Sequence, residues 1–177
     1  MRDSSEADAA DGDGTMRPTY QTEEQLEAEK VVAEKYASYY HLKAVKRPEL
    51  NELDYDLFFP LTGHKAATVE IKVRNYSYLP MIEKGGYMIS AHKWAAIKTA
   101  NEEKGVLGVL LVAFASDMKF QIFVLPLGRR PLDFTPVVGG RTRQQRDKED
   151  IEKVVYIPWK WFTEMETLGK VRTENEV

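Results

Sequence analysis

The stretch Ala67-Thr68-Val69-Glu70-Ile71-Lys72-Val73-Arg74 decides how the rest of this chain is read. Val69, Ile71 and Val73 alternate with Glu70 and Lys72, the period-two pattern of a strand with two unlike faces. One face is branched and apolar, suited to a core. The other carries a carboxylate and an ammonium on the same side of the strand. Upstream, Leu42 to Arg47 reads as a short strand stopped by Pro48, and Leu53 to Phe59 alternates before turning apolar and ending at Pro60. Downstream, Val106 to Ala115 is a continuous apolar run, as expected of a strand buried on both faces.

Helical patterns bracket these strands. Thr22 is placed to cap a helix reaching about Tyr40, and Gln25 completes a capping box. Leu26, Ala33, Tyr36 and Tyr40 repeat at helical spacing, and Glu29 falls on the same face. Tyr87 to Lys104 reads as a second helix, stopped at Gly105, with Trp94 and Ile97 on its core side. Phe120 to Leu125 reads as a further strand, Arg129 to Lys148 as loop, and Val154 to Ile157 as a short strand. Pro158 then opens a final helix containing Trp159, Trp161 and Phe162. The expected fold class is α/β: a single domain with a mixed central sheet flanked by helices, plus an additional C-terminal strand and helix. Residues 1–20 are expected to form a disordered acidic tail and 21–177 the domain. Within the domain lie a core at 22–125, a basic loop at 129–148, and the terminal strand and helix at 153–170.

The chain has 177 residues, 43% hydrophobic and 30% charged, enough apolar content for one packed domain. It has no cysteine, which excludes disulfides, thiolate metal sites and a cysteine nucleophile. Its three histidines are scattered. The net charge of -3 gives no overall nucleic-acid signature, but the charge is unevenly spread. Residues 1–18 hold five acids against two arginines, and residues 129–148 hold six bases against two acids. A basic loop on an acidic protein is compatible with phosphate contact along one edge. No signal peptide or membrane-spanning run is read, so a cytoplasmic protein with no membrane partner is expected.

Asp54 and Asp56 lie on one face of the strand before Glu70. If the two strands pair, one aspartate can approach Glu70. Two close carboxylates resist ionisation, and a hard divalent cation relieves that cost. Magnesium suits such oxygen ligands, helped by a backbone carbonyl such as that of Ile71. Lys72 would then sit beside a metal-bound water or a scissile phosphate. The acid-x-Lys pattern recurs at Glu102/Lys104 and Asp117/Lys119, but only Glu70/Lys72 lies mid-strand, after an acidic strand and a helix.

The order Glu29 … Asp56-Leu57 … Glu70-Ile71-Lys72 resembles the PD-(D/E)XK nuclease superfamily, over roughly residues 22–115. The resemblance implies the α-β-β-β-α-β core of the restriction-endonuclease-like fold. It implies a magnesium-dependent deoxyribonuclease (manganese can substitute); the small size and the lack of an added recognition domain separately suggest a small endonuclease of phage or mobile-element character. Asp56, Glu70 and Lys72 would be catalytic, and Asp56, Glu70, the Ile71 carbonyl and Glu29 would hold metal. Asp56 is preferred to Asp54 because an aliphatic residue follows it, and Glu34 is the alternative to Glu29. Tyr55 stands where the family often has proline. DNA is the implied partner, with Arg74, Lys93, Arg141, Arg143 and Arg146 as contacts, and a homodimer is compatible with cutting two strands. Lys72 is better suited to orienting a water or phosphate than to acting as a base, since nearby carboxylates favour its charged form. Two rival readings stand beside this one: a non-catalytic nucleic-acid-binding or assembly module of the same fold, and an unrelated α/β protein with these charges on an exposed sheet face.

Overall fold

The computed structural model describes residues 22–48, 51–102, 105–116, 119–128, 134–140 and 151–165. The acidic stretch 1–20, the arginines Arg141, Arg143 and Arg146, and the segment 166–170 lie outside them.

Helix α1 (Glu23–Tyr39) starts where the capping box predicts: Thr22 Oγ1 accepts from Gln25 N, and Gln25 Oε1 accepts from Thr22 N. Three strands follow, β1 (Lys43–Lys46), β2 (Tyr55–Phe58) and β3 (Lys65–Arg74). After a short helix α2 (Leu79–Glu83) come strand β4 (Gly86–Ser90), helix α3 (Ala91–Glu102), and strands β5 (Leu107–Ser116) and β6 (Lys119–Pro126). Strands β7 (Val137–Gly140), β8 (Ile151–Pro158) and β9 (Thr163–Glu164) close the described chain.

The main sheet runs β1-β2-β3-β5-β6-β9, and a smaller sheet runs β4-β8-β7. Only β3 and β5 pair in parallel in the main sheet; its other pairs are antiparallel. A parallel pair needs a crossover connection, and here the crossover carries α2, β4 and α3. Val69, Ile71, Val109 and Leu111 face α1 and pack on Val32, Ala33 and Tyr36. Leu110, Val112 and Phe114 face the other way, onto Trp94 and Ile97 of α3 and onto Ile89, Val155 and Ile157 of the small sheet. The result is the mixed-sheet, restriction-endonuclease-like architecture that the strand order implied, with an inserted strand ahead of the second helix.

Three segments differ from the expectation. Residues 86–90 form β4 and not the first turn of a helix, because Tyr87 and Ile89 alternate inward against β8 while the helix begins only at Ala91. The segment after Pro158 is a single 3-10 turn (Trp159–Trp161) followed by β9, not a helix. Its aromatic groups pack as a cluster, with Trp159 4.5 Å from Phe123 and Phe162 buried. Val137–Gly140, within the stretch read as loop, is strand β7 against β8. Among the described residues no helix is long and apolar enough to cross a membrane.

Candidate active site

The period of two along β3 sends Thr68, Glu70 and Lys72 to the side away from Val69 and Ile71. Because β3 runs between β2 and β5, with α3 above it, a polar residue on that side is enclosed. Glu70 is 0% exposed, so it is not a charge on an open sheet face. Lys72 Nζ lies 2.5 Å from Glu70 Oε1, and Lys93 Nζ, arriving from α3, lies 3.2 Å from Oε2. Lys93 also donates to the Glu52 carbonyl. Glu70 Oε1 is buried and makes no hydrogen bond; its cation contact is the ion pair. Burial pushes the Glu70 carboxyl above the usual carboxylate range; Lys72 and Lys93 oppose that rise, and Asp54 adds to it. For Lys72, burial favours the neutral amine, but the Glu70 and Asp54 carboxylates outweigh it and hold the pKa above the ordinary lysine value.

Asp54 sits immediately before β2, where β2 parts from β3. Its backbone N–H donates to the Val69 carbonyl, and its Oδ2 accepts from the Ile71 N–H at 2.7 Å. The strand register ends at Tyr55–Val69, so the aspartate side chain takes over the ladder where the β2 backbone stops. The N–H and C=O of one strand residue point to the same edge. The Ile71 carbonyl therefore lies along the edge that Asp54 borders.

Glu29 reaches this neighbourhood from α1. It is 7% exposed and pairs with Lys46 at 3.3 Å. Burial raises its pKa, Asp54 raises it further, and Lys46 and Lys72 pull it down. Glu29, Asp54, Glu70 and Lys72 thus form one electrostatic group. Asp56 lies one residue pair further along, opposite Thr68. Its Oδ1 accepts from Thr68 Oγ1 at 2.8 Å, and Lys65 and Arg47 each stand 3.8 Å from its carboxylate. In this register the charge of Asp54 acts on Glu70 and Lys72, while Asp56, the aspartate preferred from the sequence, is engaged with Thr68 and two cations. The step of one pair follows from where β2 starts, which the alternation of residues 53–59 leaves undefined.

Two clefts border this group. A cavity of about 820 Å³ between the start of α1 and the β1–β2 connection opens on Lys46, Asp54 and Lys93. A second, of about 410 Å³, opens on Lys72, Arg74, His92 and Lys93. Lys93 therefore does more than the sequence suggested: it closes the Glu70 pair and lines both clefts. Its place three residues into a helix that follows the acid-x-Lys strand was the available signal. Arg74 lies over the Tyr87 ring at 5.6 Å. His92 pairs with Glu52 at the surface, and His64 sits exposed in the turn before β3.

Among the described residues, no three His, Cys, Asp or Glu side chains are grouped to hold a metal ion. Magnesium, however, is commonly held by one or two carboxylates together with substrate phosphates and water. Asp54, Glu70 and the Ile71 carbonyl offer a hard-oxygen donor set of that kind.

A family model described as "Phage putative PDDEXK endonuclease" matches residues 15–165. No curated protein and no solved structure matches the chain.

Proposed function

The chain belongs to the phage PDDEXK endonuclease family, and on that premise we propose that it hydrolyses DNA phosphodiester bonds with a divalent cation, preferably magnesium, bound between Asp54 and Glu70. The observation that supports this best is the Glu70 carboxylate. It is fully buried, and two lysines converge on it, one at each oxygen. A buried acid of this kind is costly to a fold that does not use it.

When bound, the cation supplies Lewis-acid polarisation of the phosphate and a lowered pKa for water. Asp54, Glu70 and the Ile71 carbonyl would hold it. The Ile71 N–H fixes the Asp54 rotamer, so this ligand is oriented by the backbone of the strand that carries the other one. Lys72 stays protonated, because its carboxylate neighbours favour the ammonium. It therefore orients the attacking water or binds a phosphate oxygen, and does not remove a proton. Charge that builds on the phosphate in the transition state meets Lys72 and Lys93, both fixed in advance by Glu70. Glu29 holds Lys46 at the rim and adds negative potential at the cation position.

The test is nicking of supercoiled plasmid in magnesium, read beside thermal melts with and without manganese. Wild-type protein is expected to nick and to melt higher with metal. Glu70→Ala is expected to lose both, and Lys72→Ala to keep the metal-induced shift while losing roughly a hundredfold or more in rate. Wild-type protein inert on duplex, single-stranded and branched DNA, with no metal-induced shift, would overturn the proposal in favour of a non-catalytic binding module.

A further inference from the structure

The cationic cleft beside Lys72 does not end at Arg74. Arg74 and Met88 line it and also line a second recess, of about 150 Å³, on their other side. The chemistry changes there. Tyr76, Tyr87, Phe114 and Tyr156 bring four rings to its wall, with Arg74 and Lys84 as its cations. The first cleft is the charged one, with Glu152 the acidic group among its lining residues.

Two of these rings are exposed in a way that packing does not account for. Tyr76 is 48% exposed and Tyr156 50%, and Met88, the cross-strand partner of Tyr156, is 37% exposed. Leaving that much apolar ring surface in water forgoes burial energy. Tyr76 is held on one side by Phe114, 5.8 Å between centroids, and Tyr156 is held by the β4–β8 ladder. Both rings are therefore positioned, not loose. Tyr87 lies between these groups, its hydroxyl buried without a hydrogen bond and the Arg74 guanidinium over its ring.

Rings flanked by cations suit a nucleotide, whose base stacks while its phosphate meets the ammonium or guanidinium. An apolar protein cavity of about 150 Å³ accepts one benzene-sized ring, so the recess is on the scale of one base and not of a base pair. A base inside a duplex has both faces covered by its neighbours and must leave the stack to enter such a recess.

We propose that the recess between Tyr76 and Tyr156 is a stacking subsite for one unpaired nucleobase, so that the chain takes nucleic acid with an unpaired strand next to the bond it cuts. The inference rests on the phosphodiesterase reading of the Glu70 site, a strand running from Lys72 past Arg74 being what delivers a base to the recess.

The experiment measures binding of the full chain in EDTA, where no cleavage occurs. The probes are a single-stranded DNA oligonucleotide carrying 2-aminopurine and the blunt duplex of the same sequence. Wild-type protein is expected to bind the single strand more tightly and to quench the 2-aminopurine as it stacks. Tyr76→Ala and Tyr156→Ala are each expected to weaken single-strand binding roughly 5- to 150-fold and to relieve the quenching, while duplex binding changes little. Tyr76→Phe and Tyr156→Phe keep the ring face and should bind as wild type. If either alanine variant fails a melting control, Lys84→Glu probes the same recess from its exposed rim and should weaken the single strand selectively. Alanine variants that bind and quench like wild type, or that lose single strand and duplex equally, would overturn the subsite. Plasmid cleavage tests the premise separately. Metal-dependent cleavage with unaltered alanine variants sinks the subsite alone, and ring-dependent binding by a protein that never cleaves sinks the hydrolase reading alone.

Discussion

Asp54 and Asp56 lie two residues apart, Asp54 just before β2 and Asp56 within it, and their surroundings differ. Asp54 accepts from the Ile71 N–H and shares its field with Glu70, Lys72 and Glu29. Asp56 bonds Thr68 and stands between Lys65 and Arg47, tying β2 to β3 and to the loop after β1. Asp54→Asn is therefore expected to reduce cleavage about a hundredfold or more with the fold intact. Asp56→Asn is expected to cost about 1 kcal/mol of stability and to leave turnover within a few-fold. Paired urea denaturation and plasmid-nicking rates check both. If Asp56→Asn is the inactive variant and Asp54→Asn the active one, the assignment is reversed.

At the scale of elements, the site depends on how closely α3 approaches the sheet. Gly108 of β5 lies beneath α3, and a Cβ there would overlap the Ile97 carbonyl oxygen and come within 3.0 Å of Asn101 Cβ. Asn101 clamps the contact: its Oδ1 accepts from the Gly108 N–H, and its Nδ2 donates to the Gly128 carbonyl. Gly108→Ala must lift α3, and Lys93 with it, away from Glu70. It is expected to destabilise by about 1–3 kcal/mol and to slow cleavage, although the residue touches no ligand. Unchanged stability and rate would show that α3 is not held by this contact. The same scale explains what the sequence hid. The stretch 87–90 continues without a break into helix, and it becomes a strand only because β8, nearly seventy residues later, pairs with it.

For the whole molecule, the cores on both sides of the main sheet contain tyrosines that the fold keeps neutral. Burial raises Tyr36 and Tyr87 above the usual tyrosine pKa. Tyr55 is pushed up to about 12 from 10.0 by burial, then by the Glu29 and Asp54 carboxylates. A pKa raised on folding gives stability that is complete below the unfolded value and is lost as pH rises through the folded one. The protein is thus expected to lose stability from about pH 10 upward, its tyrosines ionising together with unfolding. Tyrosinate absorbance followed beside circular dichroism reads this, and Tyr55→Phe should move the midpoint to higher pH. A midpoint unmoved in that variant would show that Tyr55 ionises without opening the core.

What the amino-acid order determined by itself was periodic and local. The alternation of residues 67–74, the apolar run from Val106 and the Thr22/Gln25 cap were enough for β3, β5, the first helix and the candidate Glu70/Lys72 pair. Those signals survive because side-chain direction and capping depend on neighbours a few residues away. Only the tertiary structure decided that Glu70 is wholly buried, that Lys93 meets it from α3, and that the recess by Tyr76 and Tyr156 adjoins the cleft beside Lys72. It also set Asp54, just before β2, against the Ile71 N–H, and Asp56 opposite Thr68. Register, burial and the meeting of distant strands are set by what each segment pairs with, and a partner many residues away leaves no mark on the local pattern.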